Sequence, residues 1–234
     1  MTAQHSRRES RQRSLERTAA RNRVREAPIR TIRDRTKLET RVAVARADDA
    51  VAAERAREFD REIELEDGDR LRIRPIVPED ESGIETLVAA LSRRTAYQRF
   101  FTVMKRLPAD WARDFARVDY RQRMALVAEP LSVRALPLVG VSRYEPTDDA
   151  GTAEIAIVIH DHWQRRGLGA ILLDGILQAG EANGVRRFRA RLLTNNRGAL
   201  AMLSRLTTVE HTQLEAGITT VRFARRAHQP TATA

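Results

Sequence analysis

Apolar and polar positions divide the 234 residues into two unlike stretches. Over residues 1–35, Leu15, Val24, Ile29 and Ile32 are scattered among arginines without a stripe to bury, and Pro28 interrupts any single helix. That segment is expected to be disordered or partly helical. From Thr36 to about Glu62 there is neither Pro nor Gly, and Thr36 with Glu39 makes a capping box, which predicts an alanine- and arginine-rich, mostly solvated helix. Asp67-Gly68-Asp69 is a turn signal, after which the pattern changes. These shifts predict an extension over 1–66, a domain over 67–226 and a disordered tail over 227–234.

Within the domain, a strand is expected at 70–76, then a helix opened by Pro78 and running to about Leu91. Further helix is expected at 93–101 and 108–117. Met124–Ala128, Leu138–Ser142 and Thr152–Ile159 are β-prone apolar runs separated by turn-rich segments, and the last is apolar on both faces, so it should be central. Leu168, Ile171, Leu172, Gly175, Ile176 and Ala179 follow the spacing of an amphipathic helix that Gly184 can end. A strand at 186–192, a helix from Asn196 to Leu206 and an antiparallel pair at 207–213 and 217–224 complete the reading.

Charge sharpens this division. The net charge is +10, and residues 1–47 hold 14 Lys and Arg against 5 Asp and Glu, so almost all the excess lies in the arm. The arm is either a solvated extension or a weak, nonspecific contact for nucleic acid, acidic protein or an anionic membrane surface. No cysteine is present, which excludes disulfides, thiolate metal sites and a cysteine nucleophile. No run of about 18 apolar residues occurs, so membrane insertion is not expected and the protein reads as cytoplasmic. His160-Asp161-His162 sits in a connection without further ligands in view, and no metal site is expected.

A central strand that runs into a glycine-containing turn and then a helix builds an anion site: Gly167 and Gly169 leave the backbone open, and the first-turn N–H groups lack intrahelical partners. Arg165 and Arg166 add charge. The same glycine spacing also occurs in purely structural turns. The segment Gln164-Arg165-Arg166-Gly167-Leu168-Gly169-Ala170 resembles the pyrophosphate loop of the GNAT superfamily of acyl-CoA N-acyltransferases, in the strand–loop–helix setting of that family. The resemblance covers residues 70 to about 224. It implies an α/β (α+β) GNAT fold: a mixed, mostly antiparallel sheet of about six to seven strands flanked by helices. It further implies acetyl-CoA as co-substrate, with its pyrophosphate on this loop and its pantetheine amides on the backbone of Ile157, Val158 and Ile159. Asn196-Arg-Gly-Ala199 resembles the family's Asn-x-x-Ala, in which the asparagine touches the cofactor; Asn195 is the adjacent alternative. A narrower resemblance, over Ser92–Phe101, Val118–Tyr120 and Met124–Ala128, is to the catalytic domain of bacterial protein-lysine acetyltransferases, and it implies a protein lysine as acceptor. Tyr97, Phe100 and Phe101 also read simply as core aromatics.

A lysine amine with a pKa of about 10.4 is only ~0.04% neutral at pH 7, so acyl transfer to it needs a proton acceptor. Glu154 is a charge inside an otherwise apolar strand, where burial is expected to raise its pKa. Its alternative role is an edge glutamate or an ion-pair partner for Arg143. In the resembled family a glutamate on this strand is the general base, and a backbone N–H near Val158 or Ile159 would stabilise the developing oxyanion. Two positions depart from the family: Leu203 stands where many members carry the tyrosine that protonates the leaving thiolate, and Arg205-Leu206-Thr207-Thr208 lacks the usual glycine. The expected function is acetyl-CoA-dependent N-acetylation of a primary amine. The alternative is a catalytically weak acyl-CoA-binding module docked to a partner through its basic arm.

Overall fold

In the computed structural model, residues 50–132 and 136–226 are described. The expectations for the arm up to residue 49 and for the 227–234 tail fall outside those residues.

Residues 50–56 are helical and a short 3-10 turn covers Arg57–Phe59, so the helix expected to reach Glu62 ends earlier. In its place Arg61–Glu64 forms strand β1, which pairs antiparallel with β2, Arg70–Pro75. The physical reason is a two-residue period: Ile63 and Leu65 alternate with Glu62, Glu64 and Glu66, and both apolar side chains join the core. Cross-strand pairs Glu62–Arg70 and Asp60–Arg72 decorate the solvent side.

The sheet has eight strands in the order β1-β2-β3-β4-β5-β6-β8-β7. The remaining strands are β3 (Met124–Pro130), β4 (Gly140–Pro146), β5 (Thr152–Ile159), β6 (Arg187–Leu193), β7 (Thr207–Glu215) and β8 (Ile218–Arg225). Neighbours pair antiparallel except β5 with β6, which are parallel. This is the mixed sheet expected, enlarged at one edge by β1. Strand β4 starts later and runs further than its apolar segment, because Arg143 and Glu145 neutralise each other inside it and Arg123 also reaches Glu145.

Strand β3 shows why the sheet is central. Met124, Leu126 and Ala128 face one core, while Ala125 and Val127 face a second core on the opposite side. Helices α1 (Glu81–Ala90) and α3 (Ala109–Ala116) cover the second core, with Ile84, Leu87, Val88, Ala112 and Ala116 buried. Helix α4 (Leu168–Ala182) covers the first, burying Leu168, Leu172, Leu173, Ile176, Leu177 and Ala179. Each buried Leu or Ile contributes about 1.5–3 kcal/mol, so this stripe pins α4 and hence the loop before it. The close approach depends on Gly140, where an added Cβ would lie 2.9 Å from a Leu172 methyl. Helices α2 (Arg93–Phe100) and α5 (Arg197–Leu206) flank the far end of β5 and β6.

Candidate active site

The parallel pairing of β5 with β6 stops at Ile155 and Ala190, although both strands continue. Beyond that point β5 keeps its β4 partner and has an open edge toward β6. The ladder's alternation is anchored by the His160 N–H, which donates to the Val139 carbonyl. It turns the backbone groups of Val158 to β4 and those of Ile157 and Ile159 to the open edge. A cleft of about 540 Å³ follows this edge from Glu154 to the loop and is closed by α2 and α5.

At the loop end, Gln164 donates through Nε2 to the Ile159 carbonyl at 2.9 Å and to the Thr95 hydroxyl at 3.2 Å. Arg165 and Gly167 take left-handed backbone angles, with φ of 61° and 88°, and helix α4 begins at Leu168. The N–H groups of Leu168 and Gly169 lie in the first helical turn and so have no intrahelical acceptor. Gln164, Arg165, Gly167, Gly169 and Ala170 line the cleft, as do Ile157, Val158, Ile159 and Asn196. Two expected loop residues do not. Leu168 is fully buried in the core, and the Arg166 guanidinium is ion-paired with Asp67 and Asp69 and lies over the Trp163 ring. Arg166 thereby fastens the loop to the β1–β2 turn. The Asn196 side chain caps α5 by accepting from the Ala199 N–H; Asn195 does not line the cleft.

Asp161, in the connection between β5 and the glycine loop, is a structural anchor. It accepts from the Ser92 N–H at 2.8 Å, the Ser92 hydroxyl at 2.6 Å and the Thr95 hydroxyl at 2.7 Å. Burial works against its charge, but these donors outweigh it and hold the carboxyl below its usual range. The stabilisation is therefore complete above about pH 4 and is lost as the pH falls through the depressed value. Asp161→Asn is expected to lower the melting temperature at neutral pH and to flatten the decline of stability on acidification. Parallel melting-temperature profiles for the two proteins would remove Asp161 from this role. Among the described residues, no group of three or more His, Cys, Asp or Glu is arranged to hold a metal ion.

At the opposite end of the cleft stands Glu154. Its side chain is 31% exposed rather than buried, and its partner is Arg189 on β6, not Arg143. The parallel register sets Glu154 beside Arg189, whereas Arg143 is taken by Glu145 and stacks on Phe115. Arg189 Nε and Nη2 both donate to Oε2, at 2.9 and 2.6 Å, which fixes the carboxylate at the cleft wall and leaves Oε1 without a bond from Arg189.

Residues 70–207 match the acetyltransferase (GNAT) domain family. The chain belongs to this family of N-acetyltransferases. An acetyltransferase of Pseudomonas aeruginosa is 33% identical over 53% of the chain, and acetyltransferase Pat of Mycolicibacterium smegmatis is 30% identical over 63%. The chain spans 66% and 44% of the lengths of these two relatives. The crystal structure of the GNAT domain of S. lividans PAT superposes with a TM-score of 0.64 at 26% identity, covering 71% of this chain and 97% of that one. The fold is shared with yncA of Salmonella typhimurium, a putative acetyltransferase solved with acetyl-CoA, at 18% identity and a TM-score of 0.53; 70% of this chain and 99% of that one are covered. GNAT acetyltransferases use acetyl-CoA, and the open β5 edge, uncapped helix and glycine loop suit a ligand with amides and phosphates.

The two departures from the GNAT pattern have structural consequences. Leu203 is buried and lines the cleft, and no tyrosine lines it. Where a glycine would follow α5, the Thr207 hydroxyl donates to the Leu203 carbonyl at 2.7 Å, so the helix passes straight into β7 with that carbonyl satisfied.

Proposed function

We propose that this chain transfers the acetyl group of acetyl-CoA to the side-chain amine of a protein lysine in the cytoplasm, with Glu154 as general base. The observation that carries the reading is the unpaired β5 edge, with an uncapped helix N-terminus at one end and a carboxylate at the other. The protein-lysine acceptor draws on the resemblance of Ser92–Phe101 and Met124–Ala128 to bacterial protein-lysine acetyltransferases and on the likeness to the two proteins called Pat.

Acetyl-CoA supplies the activated acyl group. The N–H groups of Leu168 and Gly169 and the Arg165 guanidinium hold the pyrophosphate, and Asn196 borders the same end of the cleft. The Ile157 N–H and C=O and the Ile159 N–H face the pantetheine amides, while Gln164 already occupies the Ile159 carbonyl. Glu154 Oε1 takes one proton from the ammonium, directly or through water, and frees the nitrogen lone pair to form the new C–N bond. The tetrahedral adduct gives up its second N–H proton to water, the C–S bond breaks, and water delivers a proton to the leaving thiolate because Leu203 offers none. The acetyltransferase domain is assigned to residues 67–226, with β1 added at its edge.

Leu203 also keeps a second reading alive, an acyl-CoA-binding module of weak activity. Calorimetry with acetyl-CoA, run beside a thiol-release assay on lysine peptides, separates them. Micromolar binding with turnover on peptides supports the enzyme, and binding with no turnover on any amine supports the module. Absence of binding sinks both.

A further inference from the structure

Arg99 is one helical turn after Thr95 on α2 and lines the same cleft as Glu154. Arg143, which borders a small cavity with Arg99, is paired with Glu145, and Arg189 is paired with Glu154. Among the described residues, no carboxylate lies within ion-pair distance of Arg99, which rests over the Phe100 ring at 5.1 Å. Burial, reinforced by repulsion from Arg143, pulls its pKa down to about 10 against the attraction of Glu154 and Glu145. Arg99 is half-buried at the cleft wall; a charge partly withdrawn from water without a partner is costly, and the cost falls when an anion arrives.

The geometry narrows which anion this is. The loop that faces phosphates begins beyond Ile159, and Glu154 is five residues back along β5, about 16 Å at 3.3 Å per residue. Arg99 borders a small cavity with Arg143, Ala156 and Val158, on the face of β5 that Glu154 shares, which sets it on the Glu154 side of the loop. Among the described residues, Glu154 is the one carboxylate that lines the cleft, and it is committed to Arg189. Arg191, over the Phe101 ring at 5.9 Å, adds a second cation to the same wall.

We propose that Arg99 determines acceptor specificity by binding a carboxylate carried by the acceptor itself, close to the amine that Glu154 deprotonates. This rests on the acetyl-transfer reading above. Two sources share the chemistry: an aspartate or glutamate beside the target lysine, or the α-carboxylate of a free amino acid. A planar guanidinium suits either, because it can donate two parallel hydrogen bonds to one carboxylate.

The test compares kcat/KM by thiol release for lysine peptides with Asp or Asn next to the lysine, and for free lysine against lysinamide, in wild type, Arg99→Gln and Arg99→Lys. The wild type is expected to prefer the acid of a pair by about ten-fold or more, as a charge-assisted bond gives. The ratio should collapse toward one in Arg99→Gln and recover in part in Arg99→Lys. A preference in the peptide pair assigns the carboxylate to a neighbouring side chain; a preference confined to free lysine assigns it to the α-carboxylate. Equal rates within both pairs in the wild type, or a preference that survives Arg99→Gln, overturn the proposal. Peptides with norleucine in place of lysine keep it testable without turnover. Tighter binding of the acidic peptide to CoA-loaded protein, lost in Arg99→Gln, sustains the site even if catalysis fails, and equal binding of the two peptides overturns it. Melting temperatures and acetyl-CoA affinity of the variants guard against misfolding.

Discussion

Glu154→Gln is expected to lower kcat for acetyl transfer by about two to four orders of magnitude while acetyl-CoA affinity stays within a few-fold. The amide is nearly isosteric, and its oxygen can still accept the two Arg189 hydrogen bonds now made by Oε2. What it cannot do is take a proton at the position of Oε1, the oxygen that Arg189 leaves unbonded. The residual rate then depends on the fraction of amine already neutral in solution, which grows about ten-fold per pH unit below the lysine pKa. The variant should therefore regain activity steeply as the pH rises, whereas the wild type should level off. A variant that turns over at the wild-type rate, with the same pH profile, would leave Glu154 as a strand residue paired with Arg189 and nothing more.

The contrast between Glu154 and Arg189 shows where sequence reasoning reaches and where it stops. A lone carboxylate in an apolar strand is visible in one dimension, and so is the strand–glycine–helix order that builds the anion end of the cleft. Arg189 is invisible there, because its place beside Glu154 follows from a parallel register across an intervening helix. Asp161 and Thr95 are hidden for the same reason: they are 66 residues apart and meet only because α2 packs on the end of β5. Strand β1 was legible, since Ile63 and Leu65 alternate with glutamates, but its four residues follow a longer helix-compatible run that masks the change of period. Arg166 illustrates the opposite error. Adjacent charges look equivalent in a loop, yet its backbone turns the side chain to Asp67 and Asp69 while Arg165 lines the cleft.

That loop geometry makes Gly167→Val the counterpart of Glu154→Gln. Gly167 has φ of 88°, which a β-branched residue reaches only with strain, and an added Cβ meets no atom within 4 Å. The cost is thus in the backbone and not in crowding, and amounts to about 1–3 kcal/mol for a non-glycine residue held there. The loop can relieve it by rotating the peptide units before α4, which moves the N–H groups of Leu168 and Gly169 off the anion they are placed to meet. Calorimetry is expected to give at least a ten-fold weaker Kd for acetyl-CoA, with kcat/KM for acetyl-CoA falling in parallel and kcat at saturation changing far less. The pattern is the reverse of Glu154→Gln, because strain at the loop acts on binding the donor and the carboxylate acts on the proton of the acceptor. Because the core stripe of α4 holds the helix independently of its first residue, the melting temperature should drop by only a few degrees. Unchanged affinity in a folded Gly167→Val protein would show that the donor's phosphates are held elsewhere.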